Sequence, residues 1–146
     1  MASLKTKGDL AELKVAADLI ERGYRIALPY GEDNDFDVIL IRGDSLERVQ
    51  VKYTESNGEV ICVRCWSHSL TNGKVRQVKR YTAATIDWLA VYDVTSDSCY
   101  YVPASELGSG RRIMHLRLVP TKNFQRSGIH WADNYRTLES RRATLT

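Results

Sequence analysis

The sequence lacks the features of a disulfide-rich, membrane-spanning or exported protein. It has only three cysteines, and this odd number argues against a disulfide framework. Its longest apolar run, Trp88 to Tyr92, is far too short to cross a bilayer. Its first residues, Met1 to Gly8, contain no apolar segment of the kind found in signal peptides. We therefore expect an intracellular protein, cytoplasmic or located in an organelle or nucleoid, that has no membrane partner.

The motifs of several common protein classes are also absent. There is no P-loop, no dinucleotide-binding fingerprint, no helix-turn-helix and no zinc finger. His68, His115 and His130 have no recognisable nucleophile setting, so we interpret them as surface or packing residues. Cys62 and Cys65 have the spacing of a metal or redox pair, but on a strand they would point to opposite faces. The sequence therefore predicts no cysteine-based site.

The length of the chain predicts one domain, and its two halves differ in net charge. The 146 residues form a single predicted domain, with a core over about residues 1–102 and a basic extension over about residues 103–146. Residues 1–60 carry 8 basic and 12 acidic side chains, whereas residues 61–146 carry 13 basic and 6 acidic side chains. This asymmetry favours a polyanionic partner. A solvated basic face explains the same counts equally well.

The stretch from Asp37 to Lys52 predicts two paired strands that bring polar groups together. Val38 to Ile41 is a continuous apolar run typical of a buried strand, and a turn sequence follows it. In the second strand Gln50 and Lys52 share one face, because side chains alternate along a strand. A hairpin would return Asp37 to the level of these two residues. Either a functional cleft or a plain ion pair at a sheet edge would account for the pattern.

A helix is predicted over residues 4–22, and it ends at Gly23. Its apolar stripe is predicted to contain Leu10, Leu13, Ala17 and Ile20, widened by Ala11, Val15, Ala16 and Leu19. Glu12 falls between Ala16 and Leu19, on the side that should face the sheet. A carboxylate there needs a partner lysine, a solvated helix end, or a place in the same cleft as Asp37 and Lys52.

The remaining elements are predicted from alternation and turn signals. Strands are predicted over residues 24–28, 59–66, 87–94, 99–102 and 112–119, with a hairpin turn at Asn57-Gly58. Residues 67–75 are predicted as a loop and Arg76 to Ile86 as a second helix. Pro103 to Leu107 predicts one helical turn, Trp131 to Leu138 a short helix, and the last few residues a disordered end.

The assembled pattern resembles the PD-(D/E)XK nuclease superfamily. It consists of a helix with an inward Glu12, a strand led by Asp37, and then Gln50-Val51-Lys52. The opening Lys5-Thr6-Lys7-Gly8-Asp9-Leu10 with Glu12, and the run Gln50 to Tyr53, are similar to the PD-(D/E)XK homing endonucleases encoded in group I introns. Phe36 stands where the superfamily has proline, and Gln50 stands where it has an acid.

The resemblance implies an α/β (α+β) fold with a restriction-endonuclease-like core, in which helices flank a central mixed β-sheet. It implies a site-specific, metal-dependent endonuclease that cleaves double-stranded DNA. Glu12, Asp37, Gln50 and Lys52 would be the catalytic residues, and Asp35 is a rival ligand to Asp37. Asp37, Glu12 and the main-chain carbonyl of Val51 would hold Mg²⁺, with Mn²⁺ able to substitute. Gln50 in place of an acid removes one negative charge, which leaves the number of metal ions open.

The positions of the basic residues and the symmetry of a double-strand break indicate which partners to expect. The candidate DNA-binding residues are Lys5, Lys7, Arg64, Lys74, Arg76, Lys79, Arg80, Arg111 and Arg112. A double-strand break needs at least a homodimer, and the resemblance implies a tetramer built as a dimer of dimers. Two alternatives stay open: a Holliday-junction resolvase-type nuclease, and a DNA-binding module that has lost catalysis.

Overall fold

The computed structural model describes residues 3–31, 34–71, 74–123 and 126–139, with side chains throughout except within 68–77. A helix, α1, spans Leu4–Glu21, and two short 3₁₀ helices span Ala104–Leu107 and Ala132–Tyr135. The strands are β1 Arg25–Ala27, β2 Val38–Arg42, β3 Ser45–Thr54, β4 Val60–Arg64, β5 Trp66–Thr71, β6 Lys74–Arg80, β7 Trp88–Asp93, β8 Ser98–Pro103 and β9 Ile113–Arg117. Within these ranges, none of the helices has the length and hydropathy needed to cross a bilayer.

Five of the strands form one mixed sheet in the order β1-β2-β3-β7-β8. The predicted hairpin of β2 and β3 is confirmed, with Val38 opposite Val49. Gly43 makes the turn between them with a φ of 56°, a conformation that glycine adopts without steric cost. Strand β3 pairs with β7 in parallel, whereas β7 and β8 form an antiparallel pair. The predicted mixed α+β architecture is therefore confirmed.

Both faces of this sheet are covered, which explains the wholly apolar character of its centre. Helix α1 covers one face, where Ala11, Val15 and Leu19 pack against Val49 and neighbouring strand residues. The two-stranded sheet of β4 and β9 covers the other face together with the 3₁₀ helices. All six residues of β7 are consequently buried. A strand buried on both faces reads as a continuous apolar run, which is how Trp88 to Tyr92 read in the sequence.

The buried face of α1 is displaced from the apolar stripe that the sequence predicts. Ala11, Val15 and Leu19, which were predicted only to widen that stripe, are buried. Leu13 and Ile20, however, are 70% and 57% exposed, and Leu10 and Ala17 are also exposed. These four residues lie on the side of the helix that faces away from the sheet. The predicted centre of the stripe was therefore wrong, and one strip on the other side of the helix is sufficient to cover the strands.

A hairpin stands where the sequence predicts a loop followed by a second helix. Residues assigned to the loop belong to β5, and much of the predicted helix from Arg76 belongs to β6. The two strands pair antiparallel from Trp66–Arg80 to Thr71–Lys74. After β6 the chain makes a tight turn, in which the Ile86 N–H donates to the Thr82 carbonyl. Cross-strand pairing with β5 outweighs the moderate helix preference of this segment.

The turn at Asn57-Gly58 also differs from its predicted role. Asn57 accepts hydrogen bonds from the N–H groups of Glu59 and Val60, and Gly58 has a φ of 86°. The flanking strands do not pair with each other, because β3 lies between β2 and β7 while β4 pairs with β9. The turn therefore carries the chain from one layer of the fold to the next.

The other predicted elements are present with small shifts of their ends. Pro103 precedes the first 3₁₀ helix, and the second lies within the helix predicted from Trp131. Strand β9 alternates as predicted, with Met114 and Leu116 buried. Cys62 is exposed and Cys65 is buried, so the two thiols do face opposite ways. The last residues, 140–146, lie outside the described ranges.

Asp93 is fully buried at the carboxyl end of β7. Its carboxylate accepts five hydrogen bonds, from the Thr54 hydroxyl and from the N–H and hydroxyl groups of Ser56 and Ser96. Burial alone would raise the pKa of Asp93, but these hydrogen bonds outweigh that effect and lower it. The carboxylate thus joins the loops that leave β3 and β7.

Candidate active site

Asp37 is held at the start of β2 by two contacts with β3. Its N–H donates to the Val49 carbonyl at 2.8 Å, and its carboxylate accepts from the Val51 N–H at 3.0 Å. Val38, the next residue, points into the core beneath α1. Strand alternation therefore places the Asp37 side chain on the opposite face, the face that also carries Gln50 and Lys52. The sequence predicted this meeting of residues, and the geometry brings it about.

Glu12 reaches Asp37 from helix α1. The two carboxyl groups influence each other's ionisation, and both line an open cavity of about 260 Å³. Burial, reinforced by the charge of Asp37, raises the pKa of Glu12 to about 7. Burial also raises the pKa of Asp37, although the hydrogen bond from Val51 opposes the change. Two crowded carboxylates of this kind are stabilised when a cation binds between them.

Lys52 lies half-buried on the other side of Asp37. Its ammonium donates to the main-chain carbonyl of Trp66 at 3.1 Å and lies 5.0 Å from the centre of the Tyr81 ring. Burial, with a smaller contribution from the nearby positive charge of Arg64, lowers the pKa of Lys52 to about 8. The charge of Asp37 opposes this change. The lysine is thus held within the electrostatic influence of the carboxylates.

Gln50 completes the group on β3. Its side-chain amide donates to the carbonyl oxygen of Val51 at 3.2 Å. The oxygen atoms available at this end of the sheet are the carboxylates of Glu12 and Asp37, the Val51 carbonyl and the Gln50 amide oxygen. In the described part of the chain, His, Cys, Asp and Glu side chains nowhere come together in threes as a metal cluster. An oxygen-only set with two carboxylates suits a hard divalent cation such as Mg²⁺.

An open groove of about 780 Å³ runs past Lys52 between the first turn of α1 and strands β3 and β4. Lys7, Lys52 and Arg64 line it, so three cationic side chains face the same space. Lys7 pairs with Glu55 at 2.9 Å, and the Arg64 guanidinium stacks 4.8 Å from the Trp66 ring. Glu55 also lines the groove, so its lining has three positive charges and one negative charge. This net positive charge suits a phosphate backbone.

The other candidate DNA-binding residues are distributed around the β5–β6 hairpin. Lys79 pairs with Asp35 at 3.5 Å, and this contact directs Asp35 toward the hairpin. Arg80 donates to the Gly110 carbonyl at 3.4 Å. Arg111 and Arg112 are exposed beside the base of the hairpin, where the Cys65 N–H donates to the Arg112 carbonyl.

Two of the remaining candidates can be placed only in part. Lys5 is exposed on the first turn of α1. The side chains of Lys74 and Arg76 lie outside the described ranges, although their backbones belong to β6.

Sequence reasoning missed Trp66 and Tyr81, which surround the Lys52 ammonium. Tyr81 is 3% exposed and follows β6 directly, in a segment that was predicted as helix. Trp66 contributes a main-chain carbonyl, an atom that every residue type possesses. No signal in the sequence distinguishes either residue, because both reach the site through the pairing of β5 with β6.

Comparison with known proteins identifies a family and a similar solved structure. A family model described as PD-(D/E)XK endonuclease matches residues 2–138. Among solved structures, the chain is similar to a bacterial homing endonuclease, I-Ssp6803I, with a TM-score of 0.71 and 23% sequence identity over 92% of this chain and 89% of that chain. At this identity the likeness concerns the fold. A search of the curated proteins gave no significant match.

Proposed function

The chain belongs to the PD-(D/E)XK endonuclease family, and from that premise we propose that it is a site-specific endonuclease of the homing type that hydrolyses double-stranded DNA with Mg²⁺. The family and fold expected from the sequence are confirmed. One observation supports the specific proposal most strongly. Glu12 on α1 and Asp37, which directly precedes β2, line one cavity. Lys52 on β3, two residues after Gln50, lines the neighbouring groove together with Lys7 and Arg64.

The site residues divide into a cation-holding group and a charge-compensating group. Asp37, Glu12 and the Val51 carbonyl would hold the divalent ion, and Gln50 would provide a further amide oxygen. When bound, Mg²⁺ supplies Lewis acidity toward the scissile phosphate and the attacking water. The Asp37 carboxylate is already oriented by the Val51 N–H, so little reorganisation is needed for it to act as a ligand.

Lys52 supplies the positive charge on the opposite side of Asp37. Its ammonium is fixed by the Trp66 carbonyl. In that position it would orient the attacking water and offset the negative charge that develops on the phosphate. The lowered pKa of about 8 also makes proton exchange with water easier near neutral pH than for an ordinary lysine.

The partner is proposed to be double-stranded DNA bound by a homodimer or by a tetramer made of two dimers. One active site cuts one strand, so a double-strand break requires two sites related by a two-fold axis. Arg64 and Lys7 line the groove at the active site. The arginines near the hairpin base would contact bases or phosphates further along the duplex.

Cleavage of a randomised duplex library in Mg²⁺ tests the proposal. We expect the wild-type protein to yield cut molecules that share one long, nearly symmetric site, and EDTA to abolish cutting. Lys52→Ala should reduce cleavage by about 10³-fold or more while DNA affinity changes little. Lys14→Ala is the control, because Lys14 lies on α1 and pairs with Asp97 at 3.2 Å, away from the site.

The outcomes separate the candidate functions. Unchanged cleavage by Lys52→Ala would refute the assigned role of this lysine. No cleavage of linear duplexes, together with cleavage of four-way junctions, would identify a resolvase-type nuclease. DNA binding without cleavage of either substrate, and Mg²⁺ binding that survives Asp37→Ala, would identify an inactive DNA-binding module.

A further inference from the structure

The Lys52 ammonium is held by groups that belong to the base of the β5–β6 hairpin. Trp66 is the first residue of β5, and its carbonyl accepts from Lys52 at 3.1 Å. Tyr81 follows the last residue of β6, and its ring centre lies 5.0 Å from the same ammonium. The Tyr81 N–H donates to the Cys65 carbonyl at 3.1 Å, which closes the base of the hairpin.

Tyr81 is itself firmly fixed. It is 3% exposed and packs in the core beneath β4 and β9 together with Cys65 and Ile86. Its backbone is tied to Cys65 by the hydrogen bond described above. A ring that is fixed by its backbone and by the core around it can define the position of a flexible side chain that lies against it.

The contact suits a lysine that has to remain charged in a partly buried place. Removing an ammonium from water is costly, and the negative face of an aromatic ring recovers part of that cost. The Trp66 carbonyl recovers a further part, and Asp37 attracts the charge from the other side. Of the three groups, the ring is the one that also limits the lysine sterically.

Resting on the function proposed above, we propose that Tyr81 is a positioning residue that holds Lys52 against the Trp66 carbonyl in its reactive place. The aromatic ring carries this role, and burial in the core holds the ring in place. The hairpin that bears Lys79 and Arg80 is therefore also the element that places the lysine of the active site.

Single-turnover cleavage at saturating DNA tests the proposal with three substitutions. Tyr81→Phe keeps the ring and should cleave within about threefold of wild type. Tyr81→Leu removes the ring and should lower the cleavage rate by about 30-fold, because small displacements of a catalytic group cost factors of this size. The DNA dissociation constant, measured in EDTA, should change by less than about threefold for both, since no DNA contact is removed.

Tyr100→Leu is the matched control for loss of a buried ring. Tyr100 is fully buried in the same core, its hydroxyl lies 3.3 Å from the Ser96 hydroxyl, and the Arg136 guanidinium lies 5.3 Å from its ring centre. Strand β7 separates it from Lys52, because Val91 pairs with Lys52 on one side and with Tyr100 on the other. Cleavage by Tyr81→Leu at the rate of Tyr100→Leu would overturn the proposal. Equal losses in Tyr81→Phe and Tyr81→Leu would also overturn it, because the ring would then not be the acting group.

A second measurement covers the case in which Tyr81→Leu is too unstable or the wild-type protein does not cleave DNA. Melting temperatures of Lys52→Met, Tyr81→Met and the double variant form a cycle that needs no activity. If the Tyr81 ring and the Lys52 ammonium interact, the melting temperature of the double variant should fall by less than the sum of the decreases in the two single variants. Strictly additive decreases in melting temperature would show that the ring and the ammonium do not interact, and would overturn the proposal. If the wild-type protein did not cleave DNA, that result alone would count only against the proposed function.

Discussion

Glu12 is a single residue whose ionisation should govern the stability of the metal-free protein. Burial and the charge of Asp37 raise its pKa from the usual 4.5 to about 7. Between these values the folded protein binds a proton that the unfolded chain releases. The contribution of Glu12 to the free energy of unfolding is therefore complete below the unfolded pKa and is lost as pH rises through the folded pKa.

We expect Glu12→Gln to raise the melting temperature of the metal-free protein at about pH 8 and to change it little at about pH 5. The neutral amide removes a carboxylate that is costly only when it is ionised beside Asp37. Calorimetry in EDTA over this pH range measures the effect, and the exposed Glu21→Gln on the same helix is the control. A Glu12→Gln protein that melts below wild type at the higher pH would contradict the assignment. Added Mg²⁺ should stabilise wild type and not the variant.

Asp93 is a residue outside the active site whose carboxylate should contribute strongly to stability. Asp93→Asn weakens five hydrogen bonds to a buried charge, so we expect the free energy of unfolding to fall by about 3 kcal/mol. Urea denaturation at neutral pH measures this loss, with the exposed Asp44→Asn in the β2–β3 turn as the control. A change no larger than that of the control would show that the carboxylate charge is dispensable.

The stability difference between wild type and Asp93→Asn should also depend on pH in a defined direction. The hydrogen bonds lower the pKa of Asp93 below its usual 3.8 despite burial. Its stabilising contribution is therefore present above the unfolded pKa and is lost as pH falls through the folded pKa. We expect the two proteins to approach each other in stability only in strong acid.

At the scale of residues, the sequence was informative where a charged side chain stands in a segment that is otherwise predicted to be buried. Asp37 and Lys52 were predictable because charged groups flanked apolar strands, and Glu12 because it interrupts an apolar helix face. Tyr81 was not predictable. A buried aromatic residue agrees with every local rule, and only the pairing of β5 with β6 brings it to the lysine.

At the scale of elements, helix α1 contains a glycine, Gly8, at a position where the fold does not require one. Gly8 lies in the second turn of the helix, and a Cβ added there would meet no atom within 4 Å. We expect Gly8→Ala to raise the free energy of unfolding by about 0.5–1 kcal/mol, because alanine loses less backbone entropy on forming a helix. Urea denaturation measures the gain.

The contrasting substitution is Gly43→Ala in the turn between β2 and β3. There the added Cβ also meets open space, but φ is 56°, so the change should cost about 1 kcal/mol or more. If both substitutions raised the free energy of unfolding, the backbone conformation at the glycine would not decide whether alanine stabilises or destabilises the protein.

A helix or strand could be predicted where the apolar residues followed one periodicity. It could not be predicted where the pattern suited a helix and a strand equally. The β2–β3 hairpin and β7 followed from apolar runs and turn signals. The segment after Lys74 mixes valines with cations and suits a helix or a strand, so its partner strand decided the outcome.

At the scale of the whole molecule, the proposed two-fold assembly makes a prediction about products. If each subunit cuts one strand, mixing wild type with excess Lys52→Ala should give mostly nicked circles from a supercoiled plasmid that carries the target. Wild type alone should give linear DNA. Gel electrophoresis separates the two forms. Linear product that falls in proportion to the dilution of wild type, with no rise in nicked circles, would contradict independent cutting by paired subunits.

The parallel pairing of β3 with β7 has a consequence for how the protein is made. β3 carries Gln50 and Lys52, yet its second neighbour in the sheet follows only after β4 and the β5–β6 hairpin. Closing this loop costs entropy that is repaid when β7 docks between β3 and β8. On the ribosome, the carboxylates and the lysine therefore emerge well before the strands and the tyrosine that hold them in place. We expect the nascent chain to acquire nuclease competence only late in translation.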